Sequence, residues 1–205
     1  MLCAARSVRR PTPNRTIPDV HDDQILVRLL ASRAYREGEF TLSSGRKSSF
    51  YLDAKQVTYD PEGIRLVGAA VHTLIAPFRV QAVGGLTMGA DAIVASVVFV
   101  SAERGAPIPG FIVRKEVKQH GLQKRIEGIF PPRARVAVVE DVLTSGASAL
   151  RAVDAVRQAG GEVAVVAALV DRQEGGAAAI EHEGIAFRAV TTLEEIRRAF
   201  ARLEG

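Results

Sequence analysis

Residues 136–148 read Val136-Ala137-Val138-Val139-Glu140-Asp141-Val142-Leu143-Thr144-Ser145-Gly146-Ala147-Ser148, and they decide how the rest of the chain is read. The unbroken apolar run 136–139 marks a strand buried on both faces, because a strand with one wet face alternates. The turn that follows is small and rich in hydroxyls. From Ser148 a helical pattern runs to Ala159 and is closed by Gly160-Gly161. Toward the C-terminus the same order repeats as strand 162–171, helix 176–183, strand 187–190 and helix 193–203. Toward the N-terminus it appears as strand 82–86, helix 89–103 and strand 110–115, followed by residues 116–132 without clear periodicity. Apolar strands alternating with amphipathic helices predict an α/β fold, a mostly parallel sheet flanked by helices. Ligands of such sheets sit outside the carboxyl ends of the strands, so the loops just after strands hold the candidate site.

Further upstream, Ile25, Leu26, Leu29, Leu30 and Ala34 form one stripe of a helix predicted over 22–36 and ended by Gly38. Two short strands, 40–42 and 48–53, join through Ser44-Gly45. Asp60-Pro61 is a cap followed by a first-turn proline, and that helix runs to Ala76, where Pro77 stops it. Residues 21–205 are expected to form one domain, and residues 1–20 a basic, disordered leader.

The composition is that of an ordinary soluble globular protein, with 47% apolar and 24% charged residues in 205. Cys3 is the one cysteine, which excludes an internal disulfide and a cysteine metal site and fits a reducing cytoplasm. The longest apolar run, residues 92–100, is nine residues and includes Ser96, short of the roughly 20 that span a bilayer, so no membrane partner is expected. The net charge of +4 resides mostly in the leader, where Arg6, Arg9, Arg10 and Arg15 outweigh Asp19. The body is nearly neutral and lacks the basic face of a nucleic-acid binder.

Chemistry concentrates where strand 136–139 ends. Backbone N–H groups and the hydroxyls of Thr144, Ser145 and Ser148 at a helix start suit a phosphate monoester, and Gly146 permits close approach. Neighbouring strand residues face opposite ways, so one of Glu140 and Asp141 would enter a core at high cost unless the strand stops at Val139 and both face a wet cleft. Paired carboxylates suit a ribose diol and would stabilise positive charge on a sugar ring. The bland reading is a strand-to-helix turn with an aspartate cap. No Walker A or GxGxxG pattern occurs.

A hydrophobic strand, Glu-Asp and a Thr/Ser/Gly-rich loop resemble the PRPP-binding signature of type I phosphoribosyltransferases. The resemblance implies that Glu140, Asp141, Val142, Leu143, Thr144, Ser145, Gly146, Ala147 and Ser148 bind PRPP, with residues 144–148 cradling its 5′-phosphate and the two acids on the ribose hydroxyls. Within that group the chain is similar to the orotate phosphoribosyltransferases. Their Arg-Lys-x-x-Lys-x-His-Gly loop is matched by Arg114, Lys115, Lys118, His120 and Gly121. The resemblance implies that this loop closes over the diphosphate, with Lys118 and His120 catalytic beside Glu140 and Asp141. It also implies a homodimer in which the loop reaches the neighbouring subunit's site. Phe40-x-Leu42 through Leu52-Asp53 is similar to the family's hood over the base, here with Ser43 where some members have lysine. Gly84-Gly85-Leu86-Thr87-Met88-Gly89 is similar to its pyrophosphate loop, with Met88 where several members have lysine. Asp171-Arg172 matches the family's Asp-Arg, which makes Arg172 the clamp for the orotate carboxylate and Thr144 a second orotate contact.

The resemblance spans residues 22–190 and implies transfer of the phosphoribosyl group of PRPP to orotate, giving orotidine 5′-phosphate and pyrophosphate. Mg²⁺ is the implied cofactor, held mainly through PRPP and not by a protein cage. A salvage enzyme for another base shares the fold, but a neutral base needs no carboxylate clamp. A PRPP-sensing regulator that binds nucleic acid would need a basic face that the body lacks. His21, His72 and His182 have no partner pattern. Asp19, Asp22 and Asp23 read as helix caps.

Overall fold

The computed structural model describes residues 20–41, 45, 47–115 and 125–204. It opens with helix α1 (Val20–Leu29), which widens into one π-type turn over Leu30–Ala34 before Tyr35 turns extended. The expected single helix to residue 36 therefore ends early, and Gly38 lies inside a strand. Burial of the Tyr35 ring is the reason. It stacks on Phe50 at 5.9 Å and meets the edge of Phe200 at 5.1 Å, contacts a continued helix would forgo.

Strands β1 (Tyr35–Thr41) and β2 (Lys47–Leu52) form an antiparallel pair with an irregularity between Glu37 and Phe40. Such a hairpin is marginal alone. This one is anchored because Tyr35, Phe50 and Leu52 pack on the main apolar cluster. A short helix α2 (Lys55–Thr58), invisible to periodicity at four residues, leads to α3 (Pro61–Ile75). As the sequence predicts, Asp60 caps α3, accepting from the N–H groups of Glu62 at 3.0 Å and Gly63 at 2.9 Å. Pro77 does not stop the chain dead but sits in a 3₁₀ turn over Ala76–Phe78.

The remainder is β3 (Ala82–Leu86), α4 (Asp91–Glu103), β4 (Gly110–Val113), β5 (Ile126–Gly128), β6 (Arg135–Leu143), α5 (Ala147–Gln158), β7 (Glu162–Asp171), α6 (Gly176–His182), β8 (Ala186–Thr192) and α7 (Leu193–Glu204). The strands β3, β4, β6, β7 and β8 are parallel, in the spatial order β5-β4-β3-β6-β7-β8. β5 pairs antiparallel with the β4 edge, a strand within the segment that showed no periodicity. Apolar clusters cover both faces of the sheet. One holds Val67, Ile93, Ala137 and Val139, and the other Val136, Val138, Val153 and Val166, so β6 alternates between them.

The strand carrying the two carboxylates departs from expectation. β6 does not stop at Val139 but pairs with β7 as far as Leu143 opposite Asp171. On its other edge the pairing with β3 ends at Val138 opposite Gly84, after which β3 continues only against β4. Glu140 and Asp141 thus lie inside a strand whose one side has been vacated. Because the order reverses between β3 and β6, this gap is the topological switch point of the sheet. Among the described residues no helix is long and apolar enough to cross a membrane.

Candidate active site

The two carboxylates occupy that gap, each only 7% exposed. Continued alternation along β6 aims Glu140 with Val136 and Val138, and Asp141 with Ala137 and Val139. The expected wet cleft is therefore a nearly closed one, and the pair is tolerated because Asp141 is partnered. Lys55 Nζ donates to its Oδ2 at 2.9 Å, and the Val142 N–H donates to its Oδ1 at 2.8 Å. Glu140 Oε2 is buried with no partner. Burial first, then the adjacent Asp141 charge, pushes the Glu140 carboxyl up to about 8. Partial burial lowers the Lys55 ammonium, but its bond to Asp141 and the charges of Asp141 and Asp53 outweigh this, for a net rise.

The loop after β3 closes on the same point. A Cβ at Gly89 would lie 2.5 Å from Asp141 Oδ1, so only glycine leaves room for the carboxylate. The Thr87–Met88 peptide is cis, and Met88 is 62% exposed. Thr87 Oγ1 donates to Asp91 Oδ2 at 2.8 Å, at the start of α4.

The turn after β6 has the form the sequence predicts. Gly146 adopts φ +81° and caps α5, whose first N–H groups have no intrahelical acceptor and are open to an anion. α6 begins against this turn, since a Cβ at Gly176 would lie 2.4 Å from the Thr144 carbonyl oxygen. Ser145 is exposed, and the Ser148 hydroxyl accepts from Arg151 at 3.3 Å.

Arg172 stands one strand away, its N–H bonded to the Leu143 carbonyl at 3.0 Å. Its guanidinium lies 4.9 Å from the Phe50 ring centre and pairs with Glu174, while its Nε is buried without a partner. Arg197 lies over the same ring at 4.6 Å and donates from Nε to the Tyr35 hydroxyl at 3.1 Å. A half-free guanidinium fork beside an aromatic ring suits a planar anion.

Arg114 and Lys115 are not brought against the carboxylates. Arg114 bonds Glu127 across β4 and β5 at 2.9 Å, and both residues line a groove of about 830 Å³ with Thr87 and Asp91. Lys118, His120 and Ser43 lie outside the described residues, as does most of the leader. Sequence reasoning missed Lys55 and the Phe50 contact with Arg172. Lys55 follows Asp53 by two positions on a helix too short for periodicity, and a lone lysine after a hairpin carries no signal. His72, left without a role, sits 2.8 Å from Arg104.

Chemically, the gap presents an anion-binding turn, an acidic pair holding one orphan acceptor, and a guanidinium. Among the described residues no group of three or more His, Cys, Asp or Glu could hold a metal ion, so a divalent ion here would depend on ligand oxygens.

No protein-family model matches the chain. It is 49% identical over 174 residues to the orotate phosphoribosyltransferase of Aquifex aeolicus, covering 83% of this chain and 95% of that one. The crystal structure of Mycobacterium tuberculosis orotate phosphoribosyltransferase with Fe(III) dicitrate matches at TM-score 0.77 and 42% identity, over 85% of this chain and 98% of that one. The same protein in complex with PRPP matches at TM-score 0.73 and 39% identity, with the same coverage.

Proposed function

The chain belongs to the orotate phosphoribosyltransferase family, a pentosyltransferase of pyrimidine biosynthesis, and on that premise we propose which of its residues carry the transfer from PRPP to orotate. The observation that supports the assignment most is the buried Glu140–Asp141 pair with its orphan oxygen, placed in the gap between β3 and β6 beside the open N-terminus of α5. The 5′-phosphate sits on residues 144–148, where free N–H groups meet it. The ribose hydroxyls meet Glu140 and Asp141. Val142 and Leu143 complete that strand end. Arg172 exchanges Glu174 for the orotate carboxylate, with Thr144 on the base beside it.

Orotate N1 donates its pair to C1′ while the bond from C1′ to the diphosphate oxygen breaks, and pyrophosphate leaves with that pair. The N1 proton comes off an acidic ring and passes to water or the departing pyrophosphate, so the protein needs no strong base. The sugar passes through an oxocarbenium-like state with Glu140 and Asp141 beneath it, and the anionic member of the pair stabilises that charge. Arg114, Lys115, Lys118 and His120 meet the departing diphosphate when their loop closes and excludes water. The donor set fits Mg²⁺ held through PRPP, since the pair offers acceptors for ribose hydroxyls but no cage. When bound, the ion neutralises charge on the diphosphate. The enzyme works as a homodimer whose loop completes the neighbouring site. Its substrates are anions, PRPP multiply charged, and do not cross a bilayer unaided, which supports a cytoplasmic setting.

Loss of orotate ultraviolet absorbance on mixing protein, orotate and PRPP tests the assignment. Turnover is expected with Mg²⁺ and not without it. Turnover with adenine, hypoxanthine or uracil but not orotate would overturn the base assignment.

A further inference from the structure

The cation that touches the carboxylate pair comes from outside the catalytic sheet. Lys55 stands on α2, directly after the hood hairpin, and reaches Asp141 across 86 positions of sequence. Among the described residues, the charged and titratable groups facing Asp141 are few. From the hood come Lys55, with Asp53 at 3.7 Å from its ammonium and the Tyr51 phenol near it, and from its own strand comes Glu140. On the β3 side the neighbour is Gly89, which brings backbone and no charge.

The pair is unequal in a way that matters. The Lys55 side chain is 41% exposed and that of Asp141 only 9%. An ion pair with one partner so exposed adds little to folding. For Asp141 the contact is decisive, because a carboxylate buried beside a second one needs a cation against it. It also fixes the carboxylate's rotation, one oxygen to Lys55 and the other to the Val142 N–H.

We propose that Lys55 is a positioning residue for the transfer: from the hood it orients Asp141 as the anion that receives the ribose diol, so the sugar site is competent only while the hood is seated. This rests on the reading of Glu140 and Asp141 as the ribose site. Phe50, five positions earlier on the same hairpin, contacts Arg172, so one hood segment touches both the sugar and the base subsites.

The test is steady-state kinetics of wild type, Lys55→Met and Lys55→Arg, with PRPP and orotate varied in turn. Lys55→Met should lower kcat/KM for PRPP roughly tenfold to a hundredfold, the range for losing a hydrogen bond to a charged group. KM for orotate should move by less than about threefold, because the binding lost is not uniform. Lys55→Arg should recover most of the loss. In an Asp141→Asn background, Lys55→Met should cost nothing further. A change below about twofold in kcat/KM for PRPP, no recovery by Lys55→Arg, or an additive loss in the Asp141→Asn background would each overturn the proposal. If Lys55→Met does not fold, Lys55→Gln carries the same readouts. An inactive wild type would remove the assignment itself, whereas a silent Lys55 substitution in an active enzyme removes only this inference.

Discussion

Glu140→Gln should stabilise the ligand-free protein at alkaline pH while abolishing activity. The Glu140 carboxyl ionises near an ordinary 4.5 in the unfolded chain and at about 8 when folded. Below the unfolded value both states hold the proton, and the folded state keeps its full stability. Between the two values the folded state binds more protons than the unfolded one, so stability falls as pH rises, and above about 8 the loss is complete. At about 1.4 kcal/mol per unit the loss has an upper value of roughly 5 kcal/mol. The neighbouring Asp141 and Lys55 charges couple to this titration and broaden it, so the visible loss is smaller. Glutamine keeps the shape, does not titrate and removes this slope. The assay is urea denaturation of wild type and Glu140→Gln at intervals from about pH 5 to about pH 9. Wild type should lose stability across that window while the variant stays flat or declines less, so their difference grows with pH in favour of the variant. Parallel pH profiles would show that Glu140 is not held protonated by its burial and would refute the reasoning.

Arg172→Ala should raise KM for orotate about a hundredfold or more while changing KM for PRPP little, as expected for loss of a two-pronged charged contact. Equal effects on both substrates would point to a structural role through Phe50. Gly89→Ala should lower kcat/KM for PRPP at least tenfold, because the new Cβ would sit 2.5 Å from the Asp141 carboxylate, at a stability cost of about 1–3 kcal/mol. Thermal melting and initial rates measured together check it. Mixing equal amounts of inactive Lys118→Ala and Glu140→Gln proteins should restore about a quarter of wild-type activity if the loop serves the neighbouring site, since half the dimers then carry one intact composite site. No recovery after subunit exchange would place loop and site in the same chain.

Strand alternation, turn glycines and the cap at Asp60 were all legible because their causes are local. β3 and β7 match their predicted bounds, since a fully buried strand must be apolar throughout and must end where polar turn residues begin. The errors arose where distant residues overrule local preference. Helix α1 gives way to a wider turn because Tyr35 is claimed by Phe50 and Phe200, which lie far along the chain. β5 forms because the β4 edge offers hydrogen bonds, which no pattern within residues 126–128 announces.

The candidate site divides the same way. By itself the sequence determined that two carboxylates and a small, hydroxyl-rich turn follow a buried strand, because residue type and order along one strand–turn–helix unit suffice. It could not determine that the pair lies within β6, because that depends on β3 ending its pairing at Val138 while β7 continues to Asp171. Nor could it show that Lys55 holds Asp141, that Phe50 meets Arg172, or that Arg114 pairs with Glu127 across β4 and β5. Those are contacts between separate elements. They exist only once those elements are packed together, because a charge or a ring acts on whatever the fold brings within a few ångströms of it.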